Sequence, residues 1–337
     1  MKIVTSAPNK LILCGEHFVV YGAPALAIPT NNRNKIIFNS WKGEGKIIFK
    51  SNLGNAEYSQ GKFFGSGVFK PFIPLIENIF EEKPLEETIE VEIIPGGAPK
   101  GMGTSSSVGV ALGLAFYSYL GEKPNEERLF QFGQIVDEVA HGGKPSGIDA
   151  RTVSRGKPQK FQKFFNPVRY VFEDVDLDLP KGSLILVVDT FKGARDNTGN
   201  LIEMFAKGYG IHKKPEELTE QERRQLFEKY LPVYENFLEN CNLFGDILAL
   251  GTSFNENHKL LFPVSTTDIE RVREVALKNG AMGAKLTGAG GRGGAVIILV
   301  EEDKKEKVIK SMLELGYKTF EVQIGKEGPK VEERVET

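Results

Sequence analysis

Residues Lys100 to Ser107 read Lys-Gly-Met-Gly-Thr-Ser-Ser-Ser, a spacing of glycines and hydroxyls suited to holding an anion. The alternating run Glu87 to Ile94 leads into a turn built from Pro95, Gly96, Gly97 and Pro99. An apolar run from Val108 to Leu120 follows. Strand, glycine-rich loop and helix start in that order present free backbone N–H groups and the positive end of a helix dipole, and glycine lets a phosphate come close. Thr104, Ser105 and Ser106 add hydroxyls for hydrogen bonds or for a metal. No Gly-Lys-Ser/Thr closes the loop, so it is not a P-loop, and it does not match the dinucleotide fingerprint. Taken alone, the segment either binds a phosphate or only caps a buried helix.

Other stretches carry side chains that suit phosphoryl transfer, which needs positioning and charge neutralisation more than covalent chemistry. Asp149 follows Pro145-Ser146-Gly147-Ile148, a turn-forming run that either aims a carboxylate into a cleft or caps its own turn. Lys10 follows Pro8-Asn9 and opens the strand into Gly15-Glu16-His17. An ammonium beside a carboxylate and a hydroxyl favours a developing alkoxide and charge on a transferred phosphoryl group. From Gly288 to Gly294 every residue but Arg292 is Gly or Ala. That is too glycine-dense for a helix interior and suits a loop whose backbone approaches phosphates or the first stretch. Lys285 and Arg292 bring positive charge to it.

Taken in order, Ala7–Gly22, Lys100–Ser107, Pro145–Asp149 and Gly283–Gly294 resemble the motifs of the GHMP kinase superfamily (galacto-, homoserine, mevalonate and phosphomevalonate kinases). The resemblance runs from about residue 3 to about residue 325. Gly15-Glu16-His17-Phe18-Val19-Val20-Tyr21-Gly22 and Pro145–Asp149 are similar to the mevalonate kinase branch. The resemblance implies ATP as donor and Mg2+ as cofactor. It implies phosphate binding by Lys100, Gly101, Met102, Gly103, Thr104, Ser105, Ser106 and Ser107, and metal binding by Ser105 and Glu138, the latter 11 residues before Asp149. Asp149 would face the accepting hydroxyl as proton acceptor, with Lys10 as the catalytic lysine. Glu16 and His17 would line the acceptor pocket or brace the loop, and Thr198, Gly288, Ala289 and Gly290 would lie on the substrate side. The implied reaction is phosphorylation of the 5-hydroxyl of (R)-mevalonate. Phosphomevalonate, another mevalonate hydroxyl or a sugar such as galactose is the alternative acceptor, and a phosphorylated one would call on further basic groups such as Lys192 and Arg195. Several positions depart from the motifs, among them the approach to the loop, Gly96-Gly97-Ala98-Pro99-Lys100 in place of the common Pro-x-Gly-x-Gly form. Arg292 stands where a small residue is usual, Thr104 replaces a serine, and His141-Gly142 is shifted by one residue against Asp149.

The elements that must position these groups follow from composition and pattern. The 337 residues suffice for two domains, and 40% hydrophobic with 26% charged residues is ordinary for a soluble globular chain. A net charge of −2 gives no electrostatic reason for a nucleic-acid or membrane partner. Two distant cysteines, Cys14 and Cys241, make no disulfide framework and suit a reducing cytoplasm. The uncharged stretch from Gly101 to Gly121 has too short an apolar part to span a bilayer. A homodimer is compatible with all of this. Short strands are expected at 3–6, 11–14, 35–39 and 46–50, and helices at 69–80, 125–140, 197–207, 218–238, 244–261, 267–279 and 304–315. Strands at 183–189, 294–300 and 318–324 interleave with the later helices. The resemblance implies a two-domain GHMP kinase fold, α+β or α/β in class. It has an N-terminal mixed-sheet nucleotide-binding domain (1–180) and a C-terminal ferredoxin-like α/β domain with extra helices (181–325). The charged tail, 326–337, is expected to be disordered.

Overall fold

The computed structural model describes residues 1–81, 84–99, 101–141 and 145–336. A long hairpin begins it. β1 (Lys2–Cys14) and β2 (Ala25–Lys42) pair antiparallel, with register shifts between Pro8 and Lys10 and between Ile12 and Cys14. The two expected strands at 3–6 and 11–14 are thus one strand. Proline has no N–H for the ladder, and a register shift lets the strand pass it. Past the shift, the Lys10 N–H donates to the Met102 carbonyl at 2.9 Å.

β3 (Lys46–Ser51), β4 (Gly54–Ser59), β5 (Lys62–Gly65) and β6 (Glu87–Ile94) extend this sheet in the order β1-β2-β6-β3-β4-β5, with β3 parallel to β6. β7 (Gln159–Phe164) and β8 (Arg169–Asp174) form a hairpin beside the start of β2. One face of the sheet is covered by α1 (Ile73–Phe80), α2 (Thr104–Tyr119) and α3 (Glu126–His141), with Ile3, Phe38 and Val91 packing against Leu75, Val110, Phe116 and Phe132. α2 is apolar on every side and buried over most of its surface. Gly113 lets α3 approach it closely, because a β-carbon there would lie 2.3 Å from the Phe132 ring. α4 (Ile148–Arg155), not expected from the sequence, follows directly and carries Asp149 in its first turn.

The second sheet contains β9 (Ser183–Asp189), β10 (Gly283–Thr287), β11 (Ala295–Glu301) and β12 (Thr319–Val322) in the order β10-β11-β9-β12, every pair antiparallel. Around it lie α5 (Thr198–Gly208), α6 (Glu220–Phe227), α7 (Tyr230–Asn240), α8 (Ile247–Leu260), α9 (Thr267–Lys278) and α10 (Lys305–Glu314). The expected helix 218–238 is therefore two helices. One apolar core crosses between the halves, with Leu11, Leu13, Phe18, Leu26 and Ile28 packing with Leu184–Val188 and Val296–Val300.

The tail corrects the sequence reading. Lys330–Val335 forms β13, antiparallel to β1 with Lys2 opposite Val335, and lies at the edge of the first sheet. Ser6 Oγ donates to Glu332 at 2.6 Å, Lys2 pairs with Glu333 at 3.0 Å, and Arg33 donates to the carbonyls of Glu327 and Gly328. The ladder holds the segment while its side chains face water, so no apolar pattern marks it in the sequence.

His258 of α8 anchors β10 from beneath. Its Nδ1 accepts the Leu286 N–H at 3.1 Å and its Nε2 donates to Glu270 at 2.7 Å, so both nitrogens are used by the neutral ring. Burial, then the neighbouring Arg273, pushes its pKa down to about 4. The unfolded chain would take up that proton near pH ~6.5. Stability from this group is therefore whole above that pH and lost as the pH falls toward about 4. The melting temperature should drop over this window, and His258→Gln should flatten part of the slope. Truncation after Pro329 uncovers the β1 edge. It should lower the melting temperature by about 2–4 °C per kcal/mol lost and raise light scattering through edge-to-edge association.

Candidate active site

The phosphate loop closes onto Lys10. Gly101 (φ +99°) and Gly103 (φ +64°) turn the chain into α2, Gly103 standing just before the helix. A β-carbon on Gly103 would lie 2.9 Å from Lys10 Cγ and 3.6 Å from an Asp149 carboxylate oxygen, so glycine alone lets loop, lysine and aspartate meet. The Met102 carbonyl takes the Lys10 N–H and the Gly101 carbonyl takes Lys10 Nζ at 3.3 Å. Upstream, Asn34 Oδ1 accepts the Gly96 N–H at 2.9 Å, and Asn34 Nδ2 donates to Asn9 Oδ1 at 2.9 Å. Sequence reasoning missed this buried amide relay. Its only signal was an asparagine beside Lys10 in a strand otherwise rich in apolar residues. Lys100 lies outside the described residues.

Lys10 Nζ stands 3.0 Å from Asp149 Oδ1; the lysine side chain is 4% exposed and the aspartate 23%. An ammonium so withdrawn from water requires a compensating partner. Asp149 sits in the first turn of α4, where the helix dipole favours a carboxylate. It keeps enough exposure to meet a ligand.

The hydroxyls at the start of α2 divide between tasks. Ser107 Oγ donates to the Ala7 carbonyl at 2.9 Å and ties the helix to β1. Ser105 Oγ donates to Asp137 Oδ1 at 2.6 Å, and Ser106 Oγ donates to Asp137 Oδ2. Asp137 is 1% exposed, whereas Glu138 is exposed on α3. Consecutive helix residues differ by about 100° in direction, so both cannot face α2. The residue facing Ser105 is therefore Asp137, not Glu138. The one-residue shift of His141-Gly142 against Asp149 falls after this point, so a count of 11 back from Asp149 stops one residue short of the buried face. Among the described residues no three His, Cys, Asp or Glu side chains converge to hold a metal. Magnesium does not need them, since it takes one or two carboxylates with phosphate oxygens and water. The Ser105 hydroxyl and Asp137 carboxylate are hard oxygen donors beside the loop and fit it.

The first and last motifs meet each other. His17, at φ +60°, stacks on Phe205 with ring centroids 5.0 Å apart, and its Nε2 lies 2.9 Å from the Ala289 carbonyl. A carbonyl only accepts, so Nε2 carries the hydrogen in this contact. Burial draws the pKa of His17 below its ordinary value, and the buried Nδ1 has no partner among the described residues. Glu16 Oε1 lies 2.5 Å from Lys285 Nζ, with both side chains 0% exposed. Of the two roles expected for Glu16, the geometry gives the brace. It also withdraws Lys285 from the phosphates. Arg292, where the sequence left phosphate contact or solvent open, extends to solvent and pairs with Asp196 at 2.9 Å.

Gly288 is half-buried, and Gly290 packs so closely on the Val264 carbonyl that a β-carbon would lie 2.6 Å from it. Thr198 is exposed as the first residue of α5, and among the described contacts none joins it to the Lys10–Asp149 pair. Lys192 pairs with Asp268 at 2.9 Å, and Arg195 makes two bonds to Asp189, at 2.7 and 2.8 Å.

Residues 72–157 match the GHMP kinases N terminal domain and residues 234–318 match GHMP kinases C terminal. A mevalonate kinase from Aeropyrum pernix is 31% identical over 344 residues, covering 97% of this chain and 98% of its own. The crystal structure of Methanococcus jannaschii mevalonate kinase matches with a TM-score of 0.77 at 22% identity, covering 96% of this chain and 98% of that one. The Lactococcus lactis galactokinase complexed with galactose matches with a TM-score of 0.72 at 18% identity, covering 98% of this chain and 95% of that one. The structures share the fold, and the full-length sequence relationship narrows it: this chain belongs to the GHMP kinases and, within them, to the mevalonate kinase family.

Proposed function

We propose that this chain transfers the γ-phosphoryl group of ATP to the 5-hydroxyl of (R)-mevalonate, giving 5-phosphomevalonate and ADP. The observation that carries the reading is the Lys10–Asp149 pair, 3.0 Å apart at the phosphate loop. The free N–H groups at the start of α2 receive the phosphates. Asp149 accepts the proton of the attacking hydroxyl, and Lys10 offsets the negative charge that grows on the alkoxide and on the transferred group. Ser105 and Asp137 are the residues proposed to hold magnesium, whose chemistry is to neutralise phosphate charge. We place the division between the nucleotide-binding half and the second half near residue 180, between β8 and β9, and the reaction in the cytoplasm. Lys192 and Arg195 are already matched by carboxylates, so neither favours a phosphorylated acceptor.

The direct test is ADP release from magnesium-ATP with (R)-mevalonate, phosphomevalonate or galactose, with the phosphorylated position read by NMR. Mevalonate-dependent release with phosphate on the 5-hydroxyl is expected; transfer only to another acceptor would overturn the assignment. Asp149→Asn should lower kcat by about 10²–10⁴ with ATP affinity nearly unchanged, and near-normal turnover would remove Asp149 from the proton transfer. Asp137→Asn should raise the magnesium concentration for half-maximal rate by about 10–100-fold, whereas Glu138→Gln should leave it where it is. The reverse pattern would restore Glu138 as the metal residue.

A further inference from the structure

Strand β10 reaches the first motif along one face. Lys285 and Thr287 are two residues apart, so their side chains leave the strand on the same side. Lys285 Nζ meets Glu16 at 2.5 Å, Thr287 Oγ1 donates to the Ile12 carbonyl at 3.0 Å, and beyond the strand the Ala289 carbonyl meets His17 at 2.9 Å. These contacts join residues 12–17, which follow Lys10 in the chain, to residues 285–289, which open the glycine-rich loop. Around them the interface is apolar, and apolar packing fixes no direction. The ion pair is directional, and a buried charge without its partner is strongly unfavourable.

We infer that the Glu16–Lys285 pair positions the glycine-rich loop against the Lys10–Asp149 centre, setting the geometry of phosphoryl transfer without touching either substrate. Both side chains are 0% exposed, so neither is open to a ligand. The inference rests on the kinase reading above and extends it from the reacting groups to what holds them in register. Glu16→Asp is the sharper probe, because it keeps both charges and withdraws the carboxylate by one methylene. Lys285→Met removes a charge outright.

The measurements are kcat per folded molecule, KM for mevalonate, ATP affinity by titration, and the melting temperature. Glu16→Asp should lose about tenfold or more in kcat and Lys285→Met about 10²-fold, the scale of a misplacement of about 1 Å, with ATP affinity within about threefold of the parent. Unchanged kcat per folded molecule in both variants, with only the melting temperature lowered, would reduce the pair to a structural bond and overturn the inference. A parallel loss of ATP affinity would overturn it too, by assigning the pair to the nucleotide site. If Lys285→Met does not fold, Glu16→Asp decides alone. Parent enzyme acting on a different acceptor would overturn the mevalonate assignment only, and the variants would then be read with that acceptor. An inert parent would overturn both.

Discussion

An ammonium held almost out of water sets the terms for the rest of the site. Lys10 requires compensation, and the fold supplies it from two directions, the Asp149 carboxylate and the Gly101 carbonyl. Each supply places a demand on the chain. The loop must pass close over the lysine, which excludes a side chain at Gly103. The aspartate must arrive from a separate helix, and α4 is short and begins in a glycine turn, so its first carboxylate points back toward β1. The strand must free the Lys10 N–H from the ladder, which the register shift beside Pro8 does. The glycine-rich loop and the Asp149 helix therefore share one constraint, the burial of the same cation.

The second half of the molecule is fastened to that centre. Interfaces between domains permit relative motion unless they are large and hydrophobic, and here the apolar core runs from Leu11 and Phe18 through to β9 and β11. Tyr230 adds a hydrogen bond to the Pro24 carbonyl at 2.6 Å, and Phe18 stacks on the Tyr230 ring at 4.7 Å. The segment from Ile12 to Pro24 is consequently gripped from both sides. The same fold occurs in structures with different names, a mevalonate kinase and a galactokinase. Specificity must then lie in a few side chains set on a common frame. Lys192, Arg195, Lys285 and Arg292 are all committed to carboxylates of the chain itself.

What the sequence disclosed and withheld follows from which signals each element leaves. The strand, glycine-rich loop and helix were legible because glycines and hydroxyls interrupt an alternating strand and an apolar helix, and β6 has the expected bounds, Glu87–Ile94. The motif order was legible because each motif requires particular residues at fixed spacing. β13 was not, since its stabilisation is in backbone ladder bonds that any side chain permits. α4 was not, since eight residues opening from Pro-Ser-Gly read as a turn. The fully buried role of Lys285 was not, because a lysine beside glycines reads as a phosphate ligand until its partner, 269 positions away in sequence, is located. Asp137 and Glu138 show the limit of spacing as evidence. A count along the chain is reset by one inserted residue in a connection, while the direction of a helix face is not.

That face also holds its carboxylate through two unlike serines. Asp137 accepts from Ser105 through one oxygen and from Ser106 through the other. Ser106 is fully buried and Ser105 is not. The two hydrogen bonds are therefore unequal. The Ser106 bond lies inside the α2–α3 packing and fixes the carboxylate's orientation. The Ser105 hydroxyl stands nearer the solvent side. The carboxylate is thus held by adjacent residues of one helix, one inside the packing and one at its edge.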